Sequence, residues 1–84
     1  MADRRDDVIN ALAERAGTNA LTAEEIEAVL ALAAVAAHGT GDRTTAPLAS
    51  FLAGIAAAGA DDRIRLLDEL RRHVAETSAP AQLD

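Results

Sequence analysis

Apolar residues recur every three to four positions along almost the whole chain and nowhere alternate with polar ones, a pattern that predicts helices and no strands. In the first segment Val8, Ile9, Leu12, Ala13 and Ala16 fall on one stripe. Asp3, Asp6 and Asp7 near its start and Arg15 near its end complement the helix dipole. Gly17 suits the left-handed residue just past the last turn. The second helix carries the clearest start signal. In Thr22-Ala23-Glu24-Glu25 the threonine hydroxyl and the Glu25 carboxylate can each accept the other residue's backbone N–H, a capping box, with Leu21 and Ile26 placed as a hydrophobic staple. From Ala28 to Ala37 this helix is apolar all round, with Ile26, Leu30, Ala33 and Ala37 on one face and Ala28, Leu32 and Val35 towards another. A helix without a polar face is buried on several sides, so it is expected at the centre.

The third helix is expected to begin near Pro47, to turn Leu48, Phe51, Leu52 and Ile55 inward, and to end at Gly59. Gly54 within it costs about 1 kcal/mol against alanine, so another helix is expected close over it. The fourth opens at Asp61-Asp62 and is expected to bury Leu66, Leu67, Leu70 and Val74, with Ile64 flanking. Asp68 and Glu69 are spaced to pair with Arg72 and His73 on its outer face. The expected fold is all-α: a compact four-helix domain, residues 1–76, around an apolar second helix. Thr77, Ser78 and Pro80 mark 77–84 as a flexible C-terminal tail.

Composition narrows the functions. The chain has 84 residues and no cysteine, which removes disulfides, thiolate metal sites and cysteine nucleophiles. Its net charge of −6 argues against nucleic acid, whose binding draws on clustered Lys and Arg. The longest charge-free apolar run, Ala28 to Ala37, falls far short of the roughly 20 residues that span a bilayer, and no basic-then-apolar leader opens the chain. A cytoplasmic protein without membrane or nucleic-acid partners is the expectation. With Phe51 as the single aromatic residue, base stacking has little to rest on. Yet half the residues are hydrophobic, so the chain is not a disordered tail.

Candidate chemistry gathers in the polar elbow between the second and third helices, residues 38–46. Gly39-Thr40-Gly41 does not make a phosphate loop: Thr44 stands where a dinucleotide fingerprint needs glycine, no strand precedes it, and the chain has no lysine for a nucleotide P-loop. His38 has the chemistry of a general base or a metal ligand, with Asp42 near in sequence, but a histidine bonded to carbonyls in a last turn capped by Gly39 accounts for it more simply. Arg43 suits an anion or a partner's carboxylate, or equally a solvated loop or an ion pair with Asp42. Thr44 and Thr45 suit helix caps. Ser50 lacks the base and oxyanion arrangement of a hydrolase. Glu24, Glu25 and Glu27 are most simply a solvated helix start.

Three stretches carry a family resemblance: LAERAG at 12–17, LTAEEIEAVLALAAVAAHG at 21–39 and DRTTAPLASFLAGIAAAG at 42–59. The match spans residues 9–59, and its most specific parts are Ala-His-Gly at 37–39 and Ala-Pro-Leu-x-x-Phe-Leu-x-Gly at 46–54. They resemble a small helical domain of unknown function from actinobacteria. That domain occurs alone and as a C-terminal extension of proteins similar to the molybdenum cofactor guanylyltransferase. Its members often carry an aromatic in the first helix, where this chain has Val8 and Ile9. The resemblance implies an accessory module linked to molybdenum cofactor maturation and carries over no catalytic residue.

The expected function is therefore a non-enzymatic protein-interaction module without a cofactor, with a protein partner or a second copy covering apolar area. The alternative is a small-molecule or metal-binding domain built on the elbow. The residues singled out for binding are His38, Asp42, Arg43 and Phe51.

Overall fold

End signals written in the sequence set the helix boundaries. In the computed structural model, which describes residues 3–78, the elements run α1 (Asp3–Ala16), α2 (Ala23–Thr40), α3 (Thr45–Ala58) and α4 (Arg63–Ser78), with no strand among the described residues. The protein is an all-α four-helix domain.

α1 ends in a Schellman motif: Gly17 takes φ 78°, its N–H donates to the Glu14 carbonyl, and the Thr18 N–H donates to the Ala13 carbonyl at 2.9 Å. α2 starts on the full capping box, with Glu25 N–H donating to Thr22 Oγ1 at 3.0 Å and Thr22 N–H donating to Glu25 Oε1 at 2.9 Å. Its other end differs from the expectation. The helix continues through Gly39 and Thr40 and is capped by Gly41, whose φ of 74° lets its N–H reach the Ala37 carbonyl at 2.9 Å. Thr40 holds that extra turn by donating from Oγ1 to the Ala36 carbonyl at 2.8 Å. α3 begins at Thr45, two residues before Pro47, and α4 continues to Ser78, past the start of the expected tail. The remainder of that tail, 79–84, lies outside the described residues.

α2 is the central element, packing most extensively on α4, next on α3, with a smaller α3–α4 contact. Leu32, Ala53 and Leu67 are the buried nucleus, and Ala28, Val29, Leu70 and Val74 pack around it. α4 therefore buries the side the sequence predicts. Among the described residues no Cα of α1 comes within 8 Å of the other helices. Ile9 shares hollows with Leu21 and Ile26, whereas Val8 and Leu12 of the predicted stripe stay more than half exposed.

The largest departure is the facing of α3. Ala53 and Ala57 point inward, and Leu48, Phe51, Leu52 and Ile55, expected in the core, are 60–71% exposed. Both sides of this helix are apolar, so periodicity could not tell which one faces α2. Alanines on both helices let the backbones approach closely, which recovers dispersion contacts that bulky residues would hold apart. The helix expected over Gly54 is absent too, since a Cβ there would meet nothing within 4 Å. Gly54→Ala is accordingly expected to stabilise the fold by about 1 kcal/mol through helix propensity alone. Gly41→Ala, at φ 74°, is expected to destabilise it by about 1 kcal/mol. Thermal melts of the two variants should move in opposite directions.

Candidate functional site

The elbow is held by its own short polar side chains. Asp42 Oδ1 accepts from the Thr44 N–H at 2.9 Å and from Thr44 Oγ1 at 2.7 Å. Thr40 Oγ1 accepts from the Asp42 N–H at 3.2 Å and lies 2.9 Å from Thr45 Oγ1, so hydroxyls at the end of α2 and the start of α3 are stitched together. Asp42 thus acts as the turn's internal acceptor, which is the ordinary use of aspartate two residues ahead of an N–H. Thr44, at the N-cap position of α3, makes no side-chain cap bond. His38 and Arg43 are exposed, and neither side chain makes a hydrogen bond or ion pair among the described residues. His38 is therefore not tied to the helix-end carbonyls, and Arg43 does not pair with Asp42. No polar contact joins any two of His38, Asp42, Arg43 and Phe51 among the described residues.

The two hydrogen bonds from Thr44 hold the Asp42 carboxyl below its ordinary value of 3.8, the side-chain bond contributing most. Asp68 is lowered in the same way, first by the hydrogen bond from Arg71. A carboxyl lowered on folding adds stability that is fully present above 3.8 and is lost as pH falls through the folded value. Asp42→Asn is expected to lower the neutral plateau of a plot of melting temperature against pH and to flatten its acid side, because the variant lacks the charge whose stabilisation acid removes from wild type. An acid limb identical to wild type would remove Asp42 from the account.

Among the described residues one charge is buried, and no local pattern marks it. Glu25 is 8% exposed rather than solvated, and its Oε2 pairs with Arg63 Nη2 at 2.8 Å while Oε1 completes the capping box. The pair ties the first turn of α2 to the first residue of α4. It borders a hollow of about 200 Å³ between α2, α3 and α4, lined among others by Leu21, Val29, Ser50, Gly54 and Leu67. On the outer side of α4, Asp68 holds Arg71 at 2.7 Å and Arg72 at 3.0 Å. Glu69 pairs with Arg65 at 3.5 Å instead of His73, whose Nε2 lies 3.4 Å from Thr77 Oγ1. A larger open groove of about 500 Å³ runs between α2 and α4, with Ala28, Ala31 and Ile64 along it and Glu24, Glu27, Asp62 and Asp68 beside them. Among the described residues no three metal-capable side chains converge there or elsewhere.

What the elbow delivers is α3, and α3 is the unusual surface. It carries no charged residue from Thr45 to Ala58. Leu48, Phe51, Leu52 and Ile55 follow the i, i+3, i+4, i+7 spacing of a buried stripe but face away from α2. Such a patch leaves on the order of 500 Å² of apolar surface open, as large as the largest patch on a typical monomer and of the kind that marks interaction sites. Only Phe51 of this surface was singled out from sequence as a binding residue. The periodicity places all four, Phe51 included, in the core, because a stripe announces burial without saying against what.

Fold and surface together define a small helical domain that offers one uncharged apolar helix face. A family model matches residues 2–82, and the chain belongs to that family, a domain of unknown function (DUF6457). The match takes in α4, beyond the 9–59 span of the sequence resemblance. No curated protein and no solved structure matches the chain. No helix among the described residues is long and apolar enough to cross a membrane.

Proposed function

We propose that this chain is a non-enzymatic protein-interaction module that docks through the outward face of α3. The observation that carries the reading is the exposure of Leu48, Phe51, Leu52 and Ile55 on a helix with no charge of its own. Covering that face contributes on the order of 10 kcal/mol of hydrophobic free energy. Association itself costs about 4–15 kcal/mol. A partner must therefore bring apolar area of its own. The elbow's role is to position α3: Asp42 and the threonines are engaged with one another, so no observation favours a ligand site there.

The pathway in which a partner is sought comes from the resemblance to extensions of molybdenum cofactor guanylyltransferase-like proteins. An accessory module serving such a nucleotidyltransferase, or the enzymes it supplies, is the reading we adopt. Co-purification of the tagged chain from its own host tests it. A molybdenum-cofactor protein recovered with the wild type is expected to be lost with Leu52→Asp. It should be retained with His38→Ala and Arg43→Ala, exposed changes expected to shift stability by no more than about 0.5 kcal/mol. Recovery that survives Leu52→Asp and fails with the elbow substitutions would move the site to the elbow.

A further inference from the structure

We infer that the occupant of the α3 face is a second copy of this chain, joined antiparallel through α3, with Phe51 of each copy seated in the hollow beside Gly54 of the other. The inference rests on the α3 reading above and gives the face its occupant in the chain on its own, a copy that a different docking protein would have to displace.

Three observations point to a second copy. First, the stripe is symmetric about its own midpoint. Large residues stand at 48, 51, 52 and 55, so a two-fold axis between 51 and 52 sets Leu48 opposite Ile55 and Phe51 opposite Leu52 in both directions at once. A two-fold interface needs one patch that complements itself, and this stripe does so without any charge to oppose another. Second, Gly54 is unexplained within one copy. It sits inside a helix with open space over its Cα, borders the 200 Å³ hollow, and flanks the same side of α3 as Phe51. Helical side chains lean towards their own N-terminus, so in an antiparallel neighbour Phe51 leans from the level of Leu52 towards Gly54. A dry cavity of about 150 Å³ already takes a benzene ring. The hollow is larger and is lined by Leu21, Val29, Ala57 and Leu67 beside the paired Glu25 and Arg63.

Third, the area is adequate. Two apposed stripes bury on the order of 1,000 Å², the range of weak interfaces just below the roughly 1,200 Å² at which stable ones begin, which suits association between micromolar and millimolar concentration. Val8 and Leu12 of α1, also exposed, are further apolar surface available to such an assembly. A membrane surface is a poorer occupant, because α3 has none of the flanking Lys or Arg that interfacial helices use and the chain carries a net charge of −6.

The test is sedimentation of the purified full chain alone from micromolar to millimolar concentration, with Phe51→Glu and Gly54→Leu in parallel. Wild type is expected to pass from monomer to dimer as concentration rises. The association should tighten with added salt, because salt screens the repulsion of two acidic copies. Phe51→Glu is expected to weaken it more than a hundredfold by burying an unpaired charge. Gly54→Leu is expected to weaken it more than tenfold by filling the hollow, while the helix itself melts no lower. Circular dichroism of each monomer confirms that the fold survives, as the exposure of Phe51 and the open space at Gly54 require. A chain that stays monomeric to millimolar concentration overturns the second copy, and the co-purification above then decides the α3 reading separately. A dimer that keeps its affinity in Phe51→Glu is not joined through α3 and overturns the inference, and the co-purification again decides the α3 reading. A dimer lost in Phe51→Glu and intact in Gly54→Leu overturns the seating of Phe51 in the hollow.

Discussion

Leu32→Ala is expected to remove about 3 kcal/mol of folding free energy, the largest effect of any single truncation in this protein. Leu32 is 1% exposed and, among the described residues, is the one large side chain buried to that degree. It joins α2 to α3 and α4 at once, through Ala53 and Leu67. Alanine there leaves a cavity that neighbouring alanines are too short to fill, so the lost transfer energy and the cavity term add. A chain of this length has about 4–12 kcal/mol of total stability, so the variant loses a large part of it. Leu52→Ala is the control: the same chemical change on an equally apolar helix, at a side chain 67% exposed. In dilute solution it should cost only a few tenths of a kcal/mol. Urea unfolding of both variants decides the matter. Equal losses would mean that α3 turns its leucines inward after all.

The second large effect is at Glu25. Glu25→Ala removes one arm of the capping box and the partner of Arg63 together, and is expected to cost about 2 kcal/mol. Most of that belongs to the cap. Arg63 is half exposed, so water screens the ion pair and its share is held to about 0.5–1 kcal/mol. Glu25→Gln separates the two contributions: its amide oxygen still accepts the Thr22 N–H, while the charge facing Arg63 is gone. It should lie between wild type and alanine, and a double-mutant cycle with Arg63→Ala should return the ion-pair share. If glutamine proves as costly as alanine, the charge dominates and the cap is minor.

Glu25 also shows where sequence reading stops. Its place three residues after Thr22 made the capping bond legible, because that contact closes within one helical turn. Its burial and its link to Arg63, 38 positions away in the sequence, depend on how α2 meets α4. No local pattern encodes that meeting. The elbow divides the same way. Its position and its glycine and threonine content mark a helix connection. But the choice of Gly41 over Gly39 as the cap turned on the Thr40 hydroxyl reaching back to Ala36 and across to Thr45. Among the described residues the elbow side chains have no partners beyond that turn chemistry, and the candidate surface lies on the helix they orient.

Local pattern accounts for the four helices, the capping box, the left-handed glycine after α1, the inward side of α4 and the central place of α2. Each follows from contacts within a turn or from a helix having one apolar side to bury, or apolar sides all round. Tertiary structure alone decided which side of α3 faces the core. That helix is apolar on every side, so its hydrophobic pattern is equally satisfied by either facing. Close packing of alanine against α2 chose between them, and left the bulky side chains outside for another surface to cover.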